Sequence, residues 1–241
     1  MFGQNPIRKA DTNPDHLFVQ SMFYTIQGEG PFSGRPALFI RMAGCNLACH
    51  FCDTEFESGM STPLTLGEVV TQVQQFPLEQ RRLVVLTGGE PMRQEIGPLC
   101  SALLNSCGVQ VIQIETAGTL MPARLLEMLP HPNIKFVCSP KTPKLHPDVP
   151  RFVSAWKYVI RASAVSPVDG LPMLGTSLST KDQPVCVARP PRHVRDHGVY
   201  LSPCDEYDPA INALNQKAAV DSCLKHGYTL NLQIHKIVGV E

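Results

Sequence analysis

The stretch "ALFIRMAGCNLACHFCDT", from Ala37 to Thr54, decides the fold of this protein. It begins as an apolar run typical of a buried strand. It then passes through Gly44 into a short loop that carries Cys45, Cys49 and Cys52. Because α/β barrels present their chemistry on loops at the carboxyl ends of strands, the stretch predicts a strand followed by a functional loop.

Disulfides are one explanation for the three thiols, and the whole sequence argues against them. The chain has 241 residues, of which 43% are apolar and 17% charged, so it can bury a large core and does not need disulfide bonds for stability. It contains nine cysteines, an odd number. No stretch approaches the roughly 20 apolar residues that cross a bilayer, and the N-terminus lacks the apolar run of a secretory signal. We therefore expect a cytoplasmic protein with reduced thiols and no membrane contact.

The net charge and the positions of the other cysteines limit the possible classes of function further. The formal net charge is zero, and no basic, aromatic-rich stretch is present, which argues against a nucleic-acid-binding protein. Six further cysteines are scattered along the chain. We expect them to be small packing residues: Cys100, Cys107, Cys138, Cys186, Cys204 and Cys223.

Apolar runs rich in β-branched or aromatic residues predict eight strands along the chain. They are Phe18–Ile26, Ala37–Met42, Leu83–Thr87, Gln110–Glu115, Ile134–Cys138, Trp156–Ile160, Val199–Ser202 and Thr229–Ile234. Helical periodicity falls between several of them, with Thr65 as a predicted N-cap, Gly108 and Gly227 as stops, and Pro122 and Asp208 as starts.

This alternation predicts an α/β fold with a mostly parallel sheet. The helices are too few for a complete eight-unit barrel, so we expect a partial, truncated TIM-like barrel. We interpret residues 1–17 as a polar N-terminal tail and residues 18–241 as a single domain. Within it, residues 161–196 are rich in Pro, Gly and Ser and are expected to be irregular.

Zinc and an iron–sulfur cluster are the two metal candidates for the cysteine loop. Structural zinc takes four Cys or His ligands; His50 can supply one, but no second Cys-x-x-Cys pair follows at finger spacing. A cubane cluster is held by thiolates, and three of them leave one iron open to a chelating ligand. The cluster fits the residues better.

Two motifs resemble those of the radical S-adenosylmethionine (SAM) enzymes. The first is Cys-x3-Cys-x2-Cys with Phe51 before its third cysteine, and the second is "LTGGEP", Leu86–Pro91, after the strand-like "LVV". Alone, the glycine motif reads as a simple strand-to-helix turn. Together, at a separation of about 40 residues and both after strands, the two motifs identify the chain as a member of this superfamily.

A longer region is more specific. The stretch "YTIQGEGPFSGRPALFIRMAGCNLACHFCDTEF", Tyr24–Phe56, is followed in order by "IETAG", "CSPK", "WKYVI" and "LQIHKIVGVE". It resembles the 7-carboxy-7-deazaguanine synthase family, over roughly Phe18 to Glu241. The resemblance implies a radical SAM core and the ring contraction of 6-carboxy-5,6,7,8-tetrahydropterin to 7-carboxy-7-deazaguanine with loss of ammonia, a step of queuosine and deazapurine biosynthesis. It also implies one [4Fe-4S] cluster, S-adenosylmethionine, Mg2+, a homodimer, and an electron donor such as flavodoxin or ferredoxin.

The resemblance also implies roles for individual residues, with no catalytic side chain beyond the cofactor chemistry. Cys45, Cys49 and Cys52 match the cluster ligands, and Thr54 matches a magnesium contact. The residues that match the SAM site are Phe51, Cys52, Asp53, Gly89, Glu90, Ser139, Pro140, Lys141, Ser202, Pro203, Cys204 and Asp205. The residues that match the substrate site are Ile26, Gln27, Gly28, Glu29, Arg41, Thr87, Glu115, His235 and Glu241.

One position departs from the family pattern, and two other functions remain as alternatives. Ser202 stands where the family more often has Gln, which leaves the role of its side chain open. A glycyl-radical-enzyme activase would share the cysteine spacing and the glycine turn, but "QGEG", Cys-Asp-Thr and the terminal "HKIVGVE" argue against it. A non-enzymatic iron–sulfur or zinc protein that binds RNA or a protein partner is the second alternative.

Overall fold

The computed structural model describes residues 5–49, 51–52, 54–173, 175, 186–191 and 198–240. The described residues form one eight-stranded sheet. Its strands are β1 Val19–Ile26, β2 Pro36–Met42, β3 Leu83–Gly88, β4 Val111–Thr116, β5 Ile134–Cys138, β6 Val153–Ile160, β7 Val199–Pro203 and β8 Thr229–Leu230. The helices are α1 Leu66–Gln74, α2 Gly97–Ser106, α3 Ala123–Glu127, α4 Pro209–His226 and α5 Ile234–Val238.

The strands lie in the sheet in chain order, and β2 to β8 are all parallel to their neighbours. Only β1 runs antiparallel to its neighbour β2 in the described chain, because the short segment between them cannot make a parallel crossover. Over the described residues β1 and β8 are not paired, so the barrel stays open. The predicted partial barrel with a mostly parallel sheet is confirmed.

The two faces of the sheet have different environments. On β2, Leu38, Ile40 and Met42 are fully buried in the large core that includes residues of α1, α2 and α4. Their neighbours on the other face, Phe39 and Arg41, border a cavity inside the half-barrel. The same alternation recurs on β3 to β6, so the inner face is the one that supplies side chains to the cavity.

The helix ends follow the signals in the sequence. Thr65 and Glu68 form a reciprocal capping box at the start of α1, in which each side chain accepts from the other residue's backbone N–H. Asp208 accepts from the amides of Ala210 and Ile211 at the start of α4, and Gly227 ends that helix with φ +75°. The predicted N-cap at Thr65 and the predicted limits of the long helix are therefore confirmed.

Two predictions about local structure are wrong. The last strand covers only Thr229–Leu230, and the apolar residues of Ile234–Val238 form α5 instead. Short apolar runs do not distinguish strand from helix, and Gly239, with φ +71°, ends this run as a helix C-cap. The packing interpretation of the scattered cysteines holds for five of the six, but Cys186 is exposed.

The N-terminal segment is polar in composition but packs against the domain over its described part. Ile7 forms an isolated β-bridge with Cys45, and Asp11 forms one with Gln94. The Arg8 amide donates to the Cys45 carbonyl oxygen at 2.7 Å. Leu17 is almost fully buried. Within the described chain, no helix is long and apolar enough to span a bilayer.

Candidate active site

The cysteine loop begins directly after β2. Gly44, with φ +75°, turns the chain out of the strand, and Cys45, Cys49 and Cys52 then border the cavity. The Leu47 amide lies 3.4 Å from Cys45 Sγ. Burial raises the pKa of the Cys45 thiol to about 12 and that of Cys49 to about 11, because a thiolate there is a poorly solvated charge. A bound metal removes this cost by replacing the proton.

The glycine turn after β3 packs directly on the start of the cysteine loop. A Cβ at Gly88 would lie 2.1 Å from the Met42 carbonyl oxygen, and one at Gly89 would lie 2.2 Å from that of Gly44. The Gly89 amide donates to Met42 O and the Glu90 amide to Gly44 O, at 3.1 and 3.0 Å. The two sequence motifs are therefore one structural unit, and the glycines are required by contact between backbones.

Glu90 is turned away from the cavity. Its carboxylate is 1% exposed and accepts from Thr116 Oγ1 at 2.7 Å, from the Ala117 amide at 2.8 Å and from the Met92 amide at 3.0 Å. Burial raises its pKa, against the effect of these three hydrogen bonds. Its carboxylate thus joins β3 to the loop after β4.

A cavity of about 300 Å³ occupies the inside of the half-barrel. Most of the described residues that the sequence predicts for the site border it. Those for the metal and SAM are Cys45, Cys49, Phe51, Cys52, Thr54, Gly89, Ser139, Lys141, Ser202, Pro203, Cys204 and Asp205. Those for the substrate are Ile26, Gln27, Gly28, Glu29, Arg41, Thr87, Glu115 and His235.

The other predicted residues lie elsewhere. Glu90 is behind the cavity wall, and Pro140 borders a small neighbouring pocket that shares Phe51 and Lys141 with the cavity. Asp53 and Glu241 lie outside the described residues, as does His50.

Glu115 is the centre of a hydrogen-bond network on the inner face. Its carboxylate accepts from Gln27 Nε2, Gln113 Nε2 and Thr87 Oγ1, each at 2.9 Å. These donors come from the loop after β1, from β4 itself and from β3. The network fixes a carboxylate on the cavity wall, where it can also accept N–H groups of a ligand.

The loop after β1 crosses the inside of the half-barrel. Gly30 N donates to Asn231 Oδ1 at 2.7 Å, and the Ile234 amide lies 3.3 Å from the Gly28 carbonyl oxygen. A Cβ at Gly28 would lie 1.7 Å from His235 Nδ1, so the imidazole lies directly against this glycine. Glu29 forms an ion pair with Lys157 of β6.

The opposite side of the cavity carries the segments after β5 and β7. Lys141 donates to the carbonyl oxygen of Ser139 and to its hydroxyl, and its ammonium lies 5.7 Å from the centre of the Phe51 ring. Burial lowers the pKa of Lys141. Ser202 Oγ lies 2.6 Å from Asn231 Nδ2, so the side chain that departs from the family pattern is bound within the protein.

Asp205 ends the segment after β7 and faces the cavity. Its carboxylate accepts from the Tyr207 amide at 3.0 Å and from Asn212 Nδ2 at 2.9 Å, and it pairs with Lys236 at 3.1 Å. The Tyr207 hydrogen bond is the largest cause of the lowered pKa of Asp205. The carboxylate therefore links the start of α4 to α5.

Arg41 and Thr54 meet on the wall nearest the cysteine loop. Arg41 Nη1 lies 3.4 Å from Thr54 Oγ1, and the guanidinium lies 5.4 Å from the centre of the Phe23 ring. Phe23 stacks on Phe39 with ring centres 5.3 Å apart. The arginine thus presents its charge above an apolar floor, which suits a ligand carboxylate.

Sequence reasoning missed several polar residues of this site. Among them, Lys157 and Asn5 border the cavity, while Gln113 and Asn231 bind residues that do. The sequence does contain a signal for Lys157, because this residue is the single charge inside the apolar strand "WKYVI". Asn5 Nδ2 donates to the Thr54 carbonyl oxygen at 3.0 Å, a contact across 49 positions for which the sequence carried no signal.

The arrangement of the three loop thiols suits a cubane cluster. In a cubane cluster each thiolate binds a different iron, so the sulfurs need only surround a shared space. All nine cysteines are free of disulfides, and the three of the loop border the same cavity.

Comparisons with known proteins agree with this geometry. The family model described as Radical SAM superfamily matches residues 39–158. A Rhodospirillum rubrum protein named 7-carboxy-7-deazaguanine synthase is 44% identical over 249 aligned residues that cover all of both chains. A Rickettsia prowazekii protein of the same name is 38% identical over all of this chain and 96% of its own.

One solved structure shares the fold. The crystal structure of QueE from Escherichia coli matches 90% of this chain and 93% of its own with a TM-score of 0.60, at 22% identity. The identity to the two full-length relatives is high enough to assign the family. The chain belongs to the 7-carboxy-7-deazaguanine synthase family of radical SAM enzymes.

Proposed function

We propose that this protein converts 6-carboxy-5,6,7,8-tetrahydropterin into 7-carboxy-7-deazaguanine with loss of ammonia, in queuosine and deazapurine biosynthesis. The observation that carries the proposal is the single cavity, in which the three cysteines of the cluster motif and the polar residues of the substrate motif lie together. Full-length relatives that bear the synthase name support it over an activase or a non-enzymatic cluster protein.

The inner face of the sheet orients the pterin. Arg41 holds the substrate carboxylate with its planar guanidinium. Glu115, fixed by Gln27 and Thr87, accepts the adjacent N–H donors of the pyrimidine edge. Positive charge at Arg41 on β2 and negative charge at Glu115 on β4 give the substrate one preferred direction in the cavity.

The cysteine loop and the segments after β5 and β7 hold the cofactors. Cys45, Cys49 and Cys52 hold the [4Fe-4S] cluster, and the segments around Ser139 and Asp205 bind S-adenosylmethionine. When bound, these groups supply the one-electron chemistry that removes a hydrogen atom from the substrate. The glycine turn packs on the cysteine loop and keeps it in place, and the loop after β1 limits the access of water to the reacting atoms.

The proposal includes partners as well. An external one-electron donor such as flavodoxin or ferredoxin would supply the electron that this chemistry needs. A homodimer is supported by exposed apolar side chains on α4 and α5, among them Leu214 and Ile237.

Magnesium is the third proposed cofactor, at Thr54. A hydroxyl is a hard oxygen ligand, and Mg2+ usually takes most of its shell from substrate and water. We expect turnover to rise with added Mg2+ and Thr54→Ala to weaken that response by about tenfold or more in the Mg2+ concentration required. Titration of activity with Mg2+ tests this; full wild-type activity in excess chelator would exclude a metal role at this residue.

The central experiment is a turnover assay under anaerobic conditions. Reconstituted protein is incubated with S-adenosylmethionine, Mg2+, a chemical reductant and 6-carboxytetrahydropterin, and the product and ammonia are measured by mass spectrometry and a coupled assay. We expect 7-carboxy-7-deazaguanine and ammonia in equal amounts. Cofactor cleavage with no change in the pterin would contradict the proposed reaction.

A further inference from the structure

Lys157 is a charged residue in a strand that is otherwise apolar. On β6, Trp156, Tyr158 and Ile160 are fully buried on the outer face, and Lys157 projects from the inner face into the cavity. Its side chain is only 14% exposed. Removing an ammonium group from water is costly unless an anion compensates the charge, so this lysine needs a specific reason to be there.

The compensating anion is Glu29, whose side chain is 13% exposed and forms an ion pair with the ammonium. The two residues are 128 positions apart, so the pair ties the loop after β1 to the middle of the sheet. A carboxylate and an ammonium that are both largely buried interact far more strongly than a pair on the surface.

Other contacts fix the rest of the loop. Gln27 is held by Glu115, Gly28 lies against His235, and Gly30 is held by Asn231. These contacts place the backbone, and the ion pair with Lys157 acts on the Glu29 carboxylate itself.

We propose that Lys157 is a positioning residue that holds the Glu29 carboxylate in the orientation of an acceptor for N–H groups of the substrate. The ligand that Glu29 would bind is a heterocycle with adjacent N–H donors. The identity of this ligand rests on the proposed function. Glu29 and Glu115 then form two carboxylate acceptors on the wall of the same cavity, supplied by the loop after β1 and by β4.

The first test needs no substrate. Lys157→Met removes the charge and keeps much of the length, Lys157→Arg restores the charge, and Lys217→Met removes an exposed ion pair on α4 as the control. Hydrogen–deuterium exchange of the metal-free protein should become faster at residues 27–34 in Lys157→Met. It should return towards wild type in Lys157→Arg and stay unchanged in the control. Unchanged exchange in Lys157→Met would overturn the positioning role.

The second test measures the consequence for the reaction. In Lys157→Met, KM for the pterin should rise by about tenfold or more while kcat changes by less than about threefold, because the lost interaction is one of binding. In a Glu29→Gln background the same substitution should add little, since its effect passes through Glu29. Additive effects, or a fall in kcat alone, would contradict the inference. A wild-type protein that does not turn over the pterin would instead refute the proposed function, while the exchange data still decide the role of Lys157.

Discussion

At the scale of single residues, the cysteine loop shows how burial and metal binding are linked. Cys45 and Cys49 have raised pKa values because the loop is packed against the protein, so without metal the thiols keep their protons. The desolvation that disfavours a free thiolate does not penalise a thiolate bound to iron, since the metal neutralises it. The burial of the loop therefore favours the metal-bound state of its cysteines.

The cysteines give the first prediction. Anaerobically reconstituted protein should contain about four irons and four sulfides per chain, the content of one cubane cluster. Cys45→Ala, Cys49→Ala or Cys52→Ala should abolish this loading. Cys107→Ala, which is buried away from the cavity, and Cys186→Ala, which is exposed, should keep it. Iron and sulfide analysis with the visible absorption spectrum decides the matter, and uptake of zinc without iron would refute the cluster.

Glu90 gives a second prediction at this scale, because its carboxylate accepts three hydrogen bonds from the protein itself. In Glu90→Gln an amide N–H2 replaces one carboxylate oxygen and must face a donor. We expect the metal-free protein to lose about 1–3 kcal/mol of stability. Denaturant unfolding of metal-free wild type and variant measures this. Equal stability would mean that the carboxylate serves a ligand rather than the fold.

At the scale of elements, the strands were predictable and their inner faces were not. The first seven strands were located from apolar runs, because a strand packed in a sheet needs apolar residues at many positions. For the same reason "WKYVI" did not reveal that Lys157 faces a cavity while Trp156 and Tyr158 face the core. That assignment depends on sheet register and curvature, which local sequence does not encode.

Contacts between distant parts of the chain explain the other omissions. The "QGEG" motif was identified as part of the substrate pocket, but its neighbours Lys157 and Asn231 lie far along the chain and were not predicted. Likewise, Gly89 was interpreted as a cofactor contact; it borders the cavity and also packs on Gly44, as Gly88 packs on Met42. Sequence motifs located the site, and tertiary packing determined what each residue touches.

The contact between Gly28 and His235 gives a prediction for the loop after β1. In Gly28→Ala the new methyl group would overlap the imidazole, so either the loop or α5 must move. We expect KM for the pterin to rise by about tenfold or more with unchanged iron content, since only the substrate side is affected. The measurement is steady-state kinetics beside iron analysis.

Gly67→Ala on the exposed face of α1 is the matched control. A Cβ there meets no atom within 4 Å, so kinetics should not change and stability should rise by about 1 kcal/mol or less. If Gly28→Ala behaved like this control, the imidazole would have room to move and would not define the pocket.

At the scale of the whole molecule, the open side of the half-barrel is closed by loops. Over the described residues β1 and β8 do not pair, but the segment after β8 contacts the loop after β1 through Asn231 and Ile234. The same segment reaches the other wall, where Asn231 contacts Ser202 and Lys236 contacts Asp205. The C-terminal segment thus joins the substrate side and the cofactor side of one cavity.

This arrangement gives the last prediction, which concerns the end of the chain. The Val240 amide donates to the His235 carbonyl oxygen at 3.0 Å, so the final residues hold α5 and with it the imidazole against Gly28. Deleting residues 240–241, or adding a C-terminal tag, should raise KM for the pterin by about tenfold. Iron content should be kept, since the proposed cluster ligands lie far upstream in the cysteine loop. An N-terminally tagged protein is the control. Equal pterin affinity in all three proteins would mean that the substrate is held by Gln27, Arg41, Thr87 and Glu115 without help from the C-terminus.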